Sequence, residues 1–432
     1  MEKPGQGNIL TDKIIYRKGV QMSAGDELVC VAQLGIRQHY LVPRVLHKHG
    51  LLEHFYTDSY FGNKGWLKGP LRKLAQITKH PALLRYLSRE AVELPPDKVT
   101  SLETLGWQYF LRKLTLPPGV MPVDLYGWIG AKFGKEVARR GFGGAFAVFG
   151  FDGASVELFE AARAAGLKCI LDQTIAPMPV YIELMKKELE RWPGWQPGLV
   201  LQQDDNPLTK RAYREWELAD VILCGSQFVA DGIRKVDNAS YDKCRILPYA
   251  LHDNLPRHRL HPYDGHRPLH LLFAGEVGLR KGVPYLLEAV ARLPAQEVEL
   301  RLAGQIAISE EVVNKYASRV TFLGRVPMAE MQKHYEWADA LVLPSICEGS
   351  AMVTHEALSA DLPVICTPNA GSTVEHGVNG LIVEPSSITA VMNAIDELPE
   401  LLNKMAISGD NTVNECSKDV YERRLVEIIR NI

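Results

Sequence analysis

The chain has 432 residues, 46% of them apolar and 23% charged, and its 49 Lys+Arg against 51 Asp+Glu leave a net charge of −2. That length suggests two or three domains, and the composition excludes disordered, collagen-like and low-complexity chains. Near-neutral charge gives no reason to expect a nucleic-acid partner. The longest uncharged run, 362–374, has only 13 residues, whereas a membrane-spanning helix needs about 18 or more apolar ones.

Along the chain, short apolar runs alternate with helix-length segments, the pattern of parallel α/β sheets. Residues 1–10 are polar with one short apolar end, so no signal peptide is expected. In the first half, strands are expected at 28–32, 145–149, 168–171 and 220–224. The loop after the first of them, Leu34-Gly35-Ile36-Arg37-Gln38-His39, offers only Gly35 for tight backbone approach. His39, His47, His49 and His54 cluster in sequence. The 47–49 spacing points those two apart on a helix, so no metal site is expected.

Residues 61–140 break the alternation. They hold 14 Lys+Arg against 6 Asp+Glu, with Trp66, Tyr86, Trp107, Tyr109, Tyr126 and Trp128 interspersed. Two readings stand. One is a basic helical insertion with a solvated face. The other is a patch for peripheral contact with an anionic membrane surface or acceptor. The glycines at 141–144 precede their strand, so they do not form a dinucleotide fingerprint.

The stretch 251–268 holds four His and three Pro without helical period, and reads as a linker. Beyond it, strands are expected at 269–274, 298–303, 320–323, 340–343, 363–366 and 381–383. This predicts two doubly wound Rossmann-like domains, 1–260 and 261–416. The charged amphipathic segment 417–432 should form a terminal helix packing back on the N-terminal domain. Cys30, Cys169, Cys224 and Cys366 fall in apolar runs, and the seven cysteines contain no CxxC pair. Reduced thiols in a cytoplasmic protein are expected, without a zinc site.

Two local patterns carry chemistry. The first is Pro344-Ser345-Ile346-Cys347-Glu348-Gly349-Ser350-Ala351-Met352, leading into a helix that holds Glu356. Ligands of open α/β sheets bind beyond the carboxyl ends of the strands. A helix N-terminus there presents free amides and a positive dipole end to an anion. The amides of Gly349, Ser350, Ala351 and Met352 are thus candidates to hold a diphosphate. Glu356, about two turns from Glu348, can accept hydrogen bonds from two adjacent ribose hydroxyls. The second pattern begins at Phe273, where a strand ends at Gly275 and a helix begins after Arg280-Lys281-Gly282. Its two cations can neutralise a departing phosphate.

Together these segments resemble the retaining nucleotide-sugar glycosyltransferases of family 4, the group 1 glycosyl transferases, which have the two-domain GT-B fold. The resemblance rests on Gly275…Arg280-Lys281-Gly282, Phe322-Leu323-Gly324-Arg325-Val326, Ala338-Asp339…Pro344-Ser345, Glu348 to Glu356-Ala357-Leu358, Leu362-Pro363-Val364-Ile365 and Gly377-Val378-Asn379-Gly380. It implies a UDP-, GDP- or ADP-sugar donor held mainly by the C-terminal domain. Glu356 would take the ribose and Glu348 the donor sugar. Lys281 and Arg280 would stabilise the leaving diphosphate, and Arg325-Val326 would lie beside the base. A glycan, lipid-linked or small-molecule acceptor would bind across the cleft, with no metal or other cofactor. Polysaccharide or lipid-linked glycan assembly on the inner face of the membrane is the corresponding setting.

The chain departs from the family pattern at three places. Glu276 stands where members often carry Arg. Ser350 and Ala351 replace the second and third residues of a common Gly-Phe-Gly. Phe151 or Asp152 stands where a histidine is frequent, which makes Asp152, and Asp172 on the next strand, the candidate polar groups at the reacting centre. These departures leave a non-catalytic sugar-nucleotide-binding or scaffold protein on the same fold as the alternative.

Overall fold

A computed structural model describes residues 27–62, 69–71, 73, 78, 86–116, 122–250, 262–408 and 417–432. The expected domain boundary near 260, most of the expected linker, the boundary at 416, Trp66 and residues 1–10 lie outside them.

The chain builds two wholly parallel sheets. The first has the order β3-β2-β1-β4-β5-β6-β7. Its strands are β1 (Val29–Gln33), β2 (Leu52–Thr57), β3 (Val99–Ser101), β4 (Ala147–Phe151), β5 (Lys168–Gln173), β6 (Val221–Cys224) and β7 (Cys244–Ile246). The second has the order β10-β9-β8-β11-β12-β13. Its strands are β8 (Leu269–Ala274), β9 (Val298–Ala303), β10 (Val320–Gly324), β11 (Ala340–Leu343), β12 (Val364–Cys366) and β13 (Gly380–Ile382). The central strands β1, β4 and β11 are buried along their whole length. Helices cover both sheet faces, so these strands read as unbroken apolar runs.

This topology positions the site. In each sheet the chain winds outward in one direction, then returns to wind the other way. The reversals fall between β1 and β4 and between β8 and β11. Such switch points open a crevice at the carboxyl ends of the strands. Gly35 follows β1, Asp152 follows β4, Gly275 to Lys281 follow β8, and Glu348 follows β11.

The terminal helix Lys418–Arg430 starts at a Ser417 cap, whose hydroxyl accepts the Val420 amide at 3.3 Å. Tyr421, Leu425, Val426 and Ile429 recur on one face and join the core formed by Val29, Val31 and Phe149. Two arrangements differ from the sequence expectation. First, the basic stretch 61–140 is not a separate insertion throughout. It contains strand β3 and the helix Val123–Arg140, whose Phe133 and Val137 pack in the first sheet's core. Second, the N-terminal half is not confined to its own sheet. Met185 and Trp195 are buried in the core of the second sheet. Buried Glu188 accepts hydrogen bonds from Tyr285 Oη at 2.7 Å and Ser386 Oγ at 2.8 Å. Among the described residues no helix is long and apolar enough to cross a membrane.

Candidate active site

The loop after β8 is shaped by two glycines. Gly275 has φ +139°, and a Cβ there would sit 3.3 Å from Lys281 Cε. Gly282 has φ +68°, and a Cβ there would overlap the Pro344 carbonyl oxygen. Glycine at both positions lets the β8 and β11 loops interlock. The Arg280 carbonyl accepts the Ile346 amide at 2.9 Å. The result is a compact ionic group 67 residues apart in sequence. Lys281 Nζ lies 2.8 Å from Glu348 Oε1, and Arg280 also pairs with that oxygen while donating to the Cys347 carbonyl at 3.2 Å. Two cations pair directly with one carboxylate, and the Glu276 carboxylate also acts on Lys281 from its own loop; an anionic ligand would be met by both cations. Burial pulls the Lys281 ammonium below its ordinary pKa, and Glu348 opposes that shift. Glu276 is exposed.

The following loop enters the helix Met352–Ser359. One expected contact is corrected here. The Ala351 amide already donates to the Ala370 carbonyl at 3.0 Å, so it is not free for a diphosphate. The helix begins at Met352 with no side-chain cap, and among the described residues the Gly349, Ser350 and Met352 amides have no hydrogen-bond acceptor. Ser350 Oγ lies 2.8 Å from Nε2 of His355, a fully buried side chain. Desolvation lowers the His355 pKa to about 4, so the ring is neutral near pH 7. Its Nδ1 is buried without a partner among the described residues. A buried orphan N–H costs more than an orphan lone pair, which puts the proton on Nε2. His355 then donates to Ser350, and the Ser350 hydroxyl keeps its own hydrogen for a ligand. Further along, Glu356 is half-buried, and one of its oxygens accepts from Tyr335 Oη at 2.8 Å.

The first sheet meets this loop directly. The Gly349 carbonyl accepts from Ser226 Oγ at 2.6 Å, and a Cβ on Gly349 would overlap the Thr174 carbonyl oxygen. Thr174 Oγ1 donates to Asp152 at 2.7 Å, and Arg37 lies 3.4 Å from the same carboxylate. Asp152 thus sits one residue from the Gly349 loop rather than on the Lys281–Glu348 group. Gly35, at φ +74°, donates its amide to Asp58 at 2.8 Å. Next to it Gln38, His39 and Tyr40 all have positive φ, a run of conformations that non-glycine residues avoid and that clusters at functional sites.

Asp172 is buried beside Asp152 and accepts from Tyr249 Oη at 3.3 Å. Burial pushes its carboxyl up to about 7, with Arg37 opposing and Asp152 adding to the rise. The native state therefore holds this proton up to about pH 7, whereas an unfolded Asp releases it near about 4. Stability is lost as pH rises through that window. Asp172→Asn should remove the loss. Its melting temperature relative to the parent should climb between pH 5 and pH 7.5, and a flat difference would show that Asp172 ionises normally.

Arg325 is exposed and bonded to Gln305, while Val326 packs against the second core. Both stand at the end of β10, apart from the ionic group in the contacts described. No local pattern marks Tyr335 or Thr174, whereas Ser226 and Tyr249 lie in the stretches Ala219-Asp220-Val221-Ile222…Ser226 and Ile246-Leu247-Pro248-Tyr249, which fit the end of the family's first domain without pointing to these contacts. His355 was visible inside the motif, one residue before Glu356. Among the described residues no cluster of His, Cys, Asp and Glu could hold a metal ion.

Residues 268–400 match the family model described as glycosyl transferases group 1. An uncharacterised glycosyltransferase of Methanocaldococcus jannaschii is 30% identical over 161 residues, 35% of this chain and 40% of that protein. The O-antigen chain mannosyltransferase B of Escherichia coli is 26% identical over 200 residues, 43% of this chain and 52% of that protein. The chain thus spans about half the length, or less, of these curated relatives. Two solved structures align over 94% of it. Sucrose-phosphate synthase from Thermosynechococcus elongatus has a TM-score of 0.60 at 16% identity, with 98% of that chain covered. HepE from Anabaena, solved in complex with UDP, has a TM-score of 0.56 at 14% identity, with all of that chain covered (100%). These likenesses show the GT-B fold.

Proposed function

We propose that the chain transfers a glycosyl group from a nucleotide-sugar donor to an acceptor hydroxyl with retention of anomeric configuration. The observation that carries this reading is the convergence of Lys281 and Arg280 on Glu348 at the β8/β11 switch point, beside the Met352 helix N-terminus. The match of residues 268–400 to the group 1 family model supports it.

In this reading the diphosphate lies between the two cations and the Gly349–Ser350 amides, with the Ser350 hydroxyl as a further donor. Glu356 accepts from the ribose hydroxyls, held in place by Tyr335. Glu348 orients the sugar. The bond from the anomeric carbon to the diphosphate oxygen breaks as the acceptor oxygen attacks from the same face. The acceptor proton passes to a leaving phosphate oxygen. Lys281, Arg280 and the helix dipole take up the developing negative charge, and no metal is assigned a part. Closure of the Thr174–Ser226 edge over Gly349 keeps water from competing with the acceptor. Work at the cytoplasmic face of a membrane belongs to the same reading.

The test is thermal melting with UDP-, GDP- and ADP-sugars and the free diphosphates. A ligand bound only by the folded state at 100 times its Kd adds about 2.7 kcal/mol of stability. One nucleotide series should raise the melting temperature. Glu356→Ala should weaken that ligand by about 10-fold or more, the worth of a hydrogen bond to a charged group. Absence of a shift with every nucleotide would overturn the reading.

A further inference from the structure

A cavity of about 520 Å³ opens in the N-terminal domain at the carboxyl ends of β2 and β3. Its ionic groups are two carboxylates, Asp58 and Glu103, and two cations, Arg89 and Lys113. They balance in charge, and most are already engaged. Asp58 accepts from Gly35 and from Arg89, the latter at 2.7 Å. Glu103 accepts from Ser59 Oγ at 3.1 Å and the Tyr60 amide at 3.2 Å. Tyr109 is hydrogen-bonded to Tyr126. What remains for a ligand is the aromatic and aliphatic surface of Leu71, Tyr86, Trp107, Tyr109 and Phe110. Aromatic faces stack on sugar rings, but a sugar's hydroxyls also need polar partners, and both carboxylates here are already engaged.

The apolar surface does not stop at the cavity mouth. Trp107 and Phe110 belong both to its lining and to the outer face of the helix Glu103–Leu114. Along that face Trp107, Phe110, Leu111 and Leu114 are 60%, 41%, 59% and 66% exposed. Contiguous exposed apolar surface of this kind marks a binding site. The cavity also reaches the donor side through bonded neighbours. Asp58 holds the Gly35 loop, Arg37 of that loop pairs with Asp152, and Asp152 holds Thr174 against Gly349.

We infer that this cavity is the acceptor subsite, and that it takes the uncharged alkyl chain of an amphiphilic acceptor whose sugar end faces the Gly35 loop. The inference rests on the glycosyl-transfer reading and deepens it by naming the acceptor class. The chain fills the cavity and runs out over Trp107, Phe110, Leu111 and Leu114.

The test uses the full chain with methyl, butyl and octyl β-D-glucosides below their micelle concentrations, read by tryptophan fluorescence and melting temperature. Octyl glucoside should bind, with each added CH₂ tightening the Kd by about 4-fold, and methyl glucoside should not. Trp107→Ser/Phe110→Ser should weaken octyl glucoside by at least about 10-fold, the share of two lost apolar contacts, while the nucleotide-dependent melting shift persists. Equal binding of methyl and octyl glucosides would overturn the assignment, as would octyl binding that survives the double substitution. Concentration-dependent self-association abolished by the same substitutions, without octyl binding, would instead make the face a contact between copies and overturn it too. If octyl glucoside binds but no nucleotide shifts the melting, the transfer reading falls while the alkyl site stands.

Discussion

Lys281→Ala is expected to lower kcat by at least about 10²-fold, the cost of removing one preorganised charge contact to a leaving group. Its ammonium is buried, sits 2.8 Å from Glu348, and packs against Gly275. Truncation leaves Glu348 paired with Arg280, so no buried carboxylate is stranded and the fold should persist. Because the charge it meets develops only as the bond to the diphosphate breaks, the loss should fall on kcat more than on KM. Steady-state rates with the donor identified by melting provide the check. An unchanged kcat would remove Lys281 from this role and leave the leaving-group charge to Arg280 alone.

Gly349→Ala should be comparably severe for a different reason. Its Cβ would be driven into the Thr174 carbonyl, and the Ser226 bond to the Gly349 carbonyl would be lost. The two sheets then meet at a displaced distance. Misplacing reacting groups by about 1 Å costs on the order of 10²-fold. Donor affinity should fall less than kcat, because alanine keeps the 349 amide and Lys281, Arg280 and Glu356 all belong to the second domain. The distinguishing result is a loss in kcat much larger than the loss in nucleotide affinity read from the melting shift. If kcat is also preserved, the Gly349–Thr174 contact plays no part in the working state.

These expectations draw on features of unequal visibility in the sequence. The central strands were legible because both faces are covered, which forces unbroken runs such as the Ala-Leu-Val-Leu of β11. Strands β2, β3 and β7 were not. β2 carries Glu53 and His54, whose polarity hides the run and which are satisfied by the Gly144 amide at 3.0 Å and by Thr100 at 2.8 Å. β3 and β7 are three-residue edge strands with polar members. In the site, the β8 and β11 loops were legible as separate patterns, because glycines and helix starts leave local marks. Their junction was not. It depends on Gly282 yielding to the Pro344 carbonyl and on Arg280 receiving the Ile346 amide, contacts made across the sheet. Nor does any local signal set Tyr335 against Glu356, since a tyrosine on a helix usually packs in a core.

The exchange of segments between the two halves bears on how the chain reaches this state. The last helix supplies Leu425 and Ile429 to the core around Val29 and Phe149, while Met185 and Trp195 complete the core around Leu271 and Leu341. Neither half holds all of its own interior. The N-terminal sheet stays unfinished until the helix Lys418–Arg430 has been made, and the C-terminal sheet leans on Met185 and Trp195, made long before it. Assembly is therefore mutual and late, and the two halves should melt in one cooperative transition rather than two.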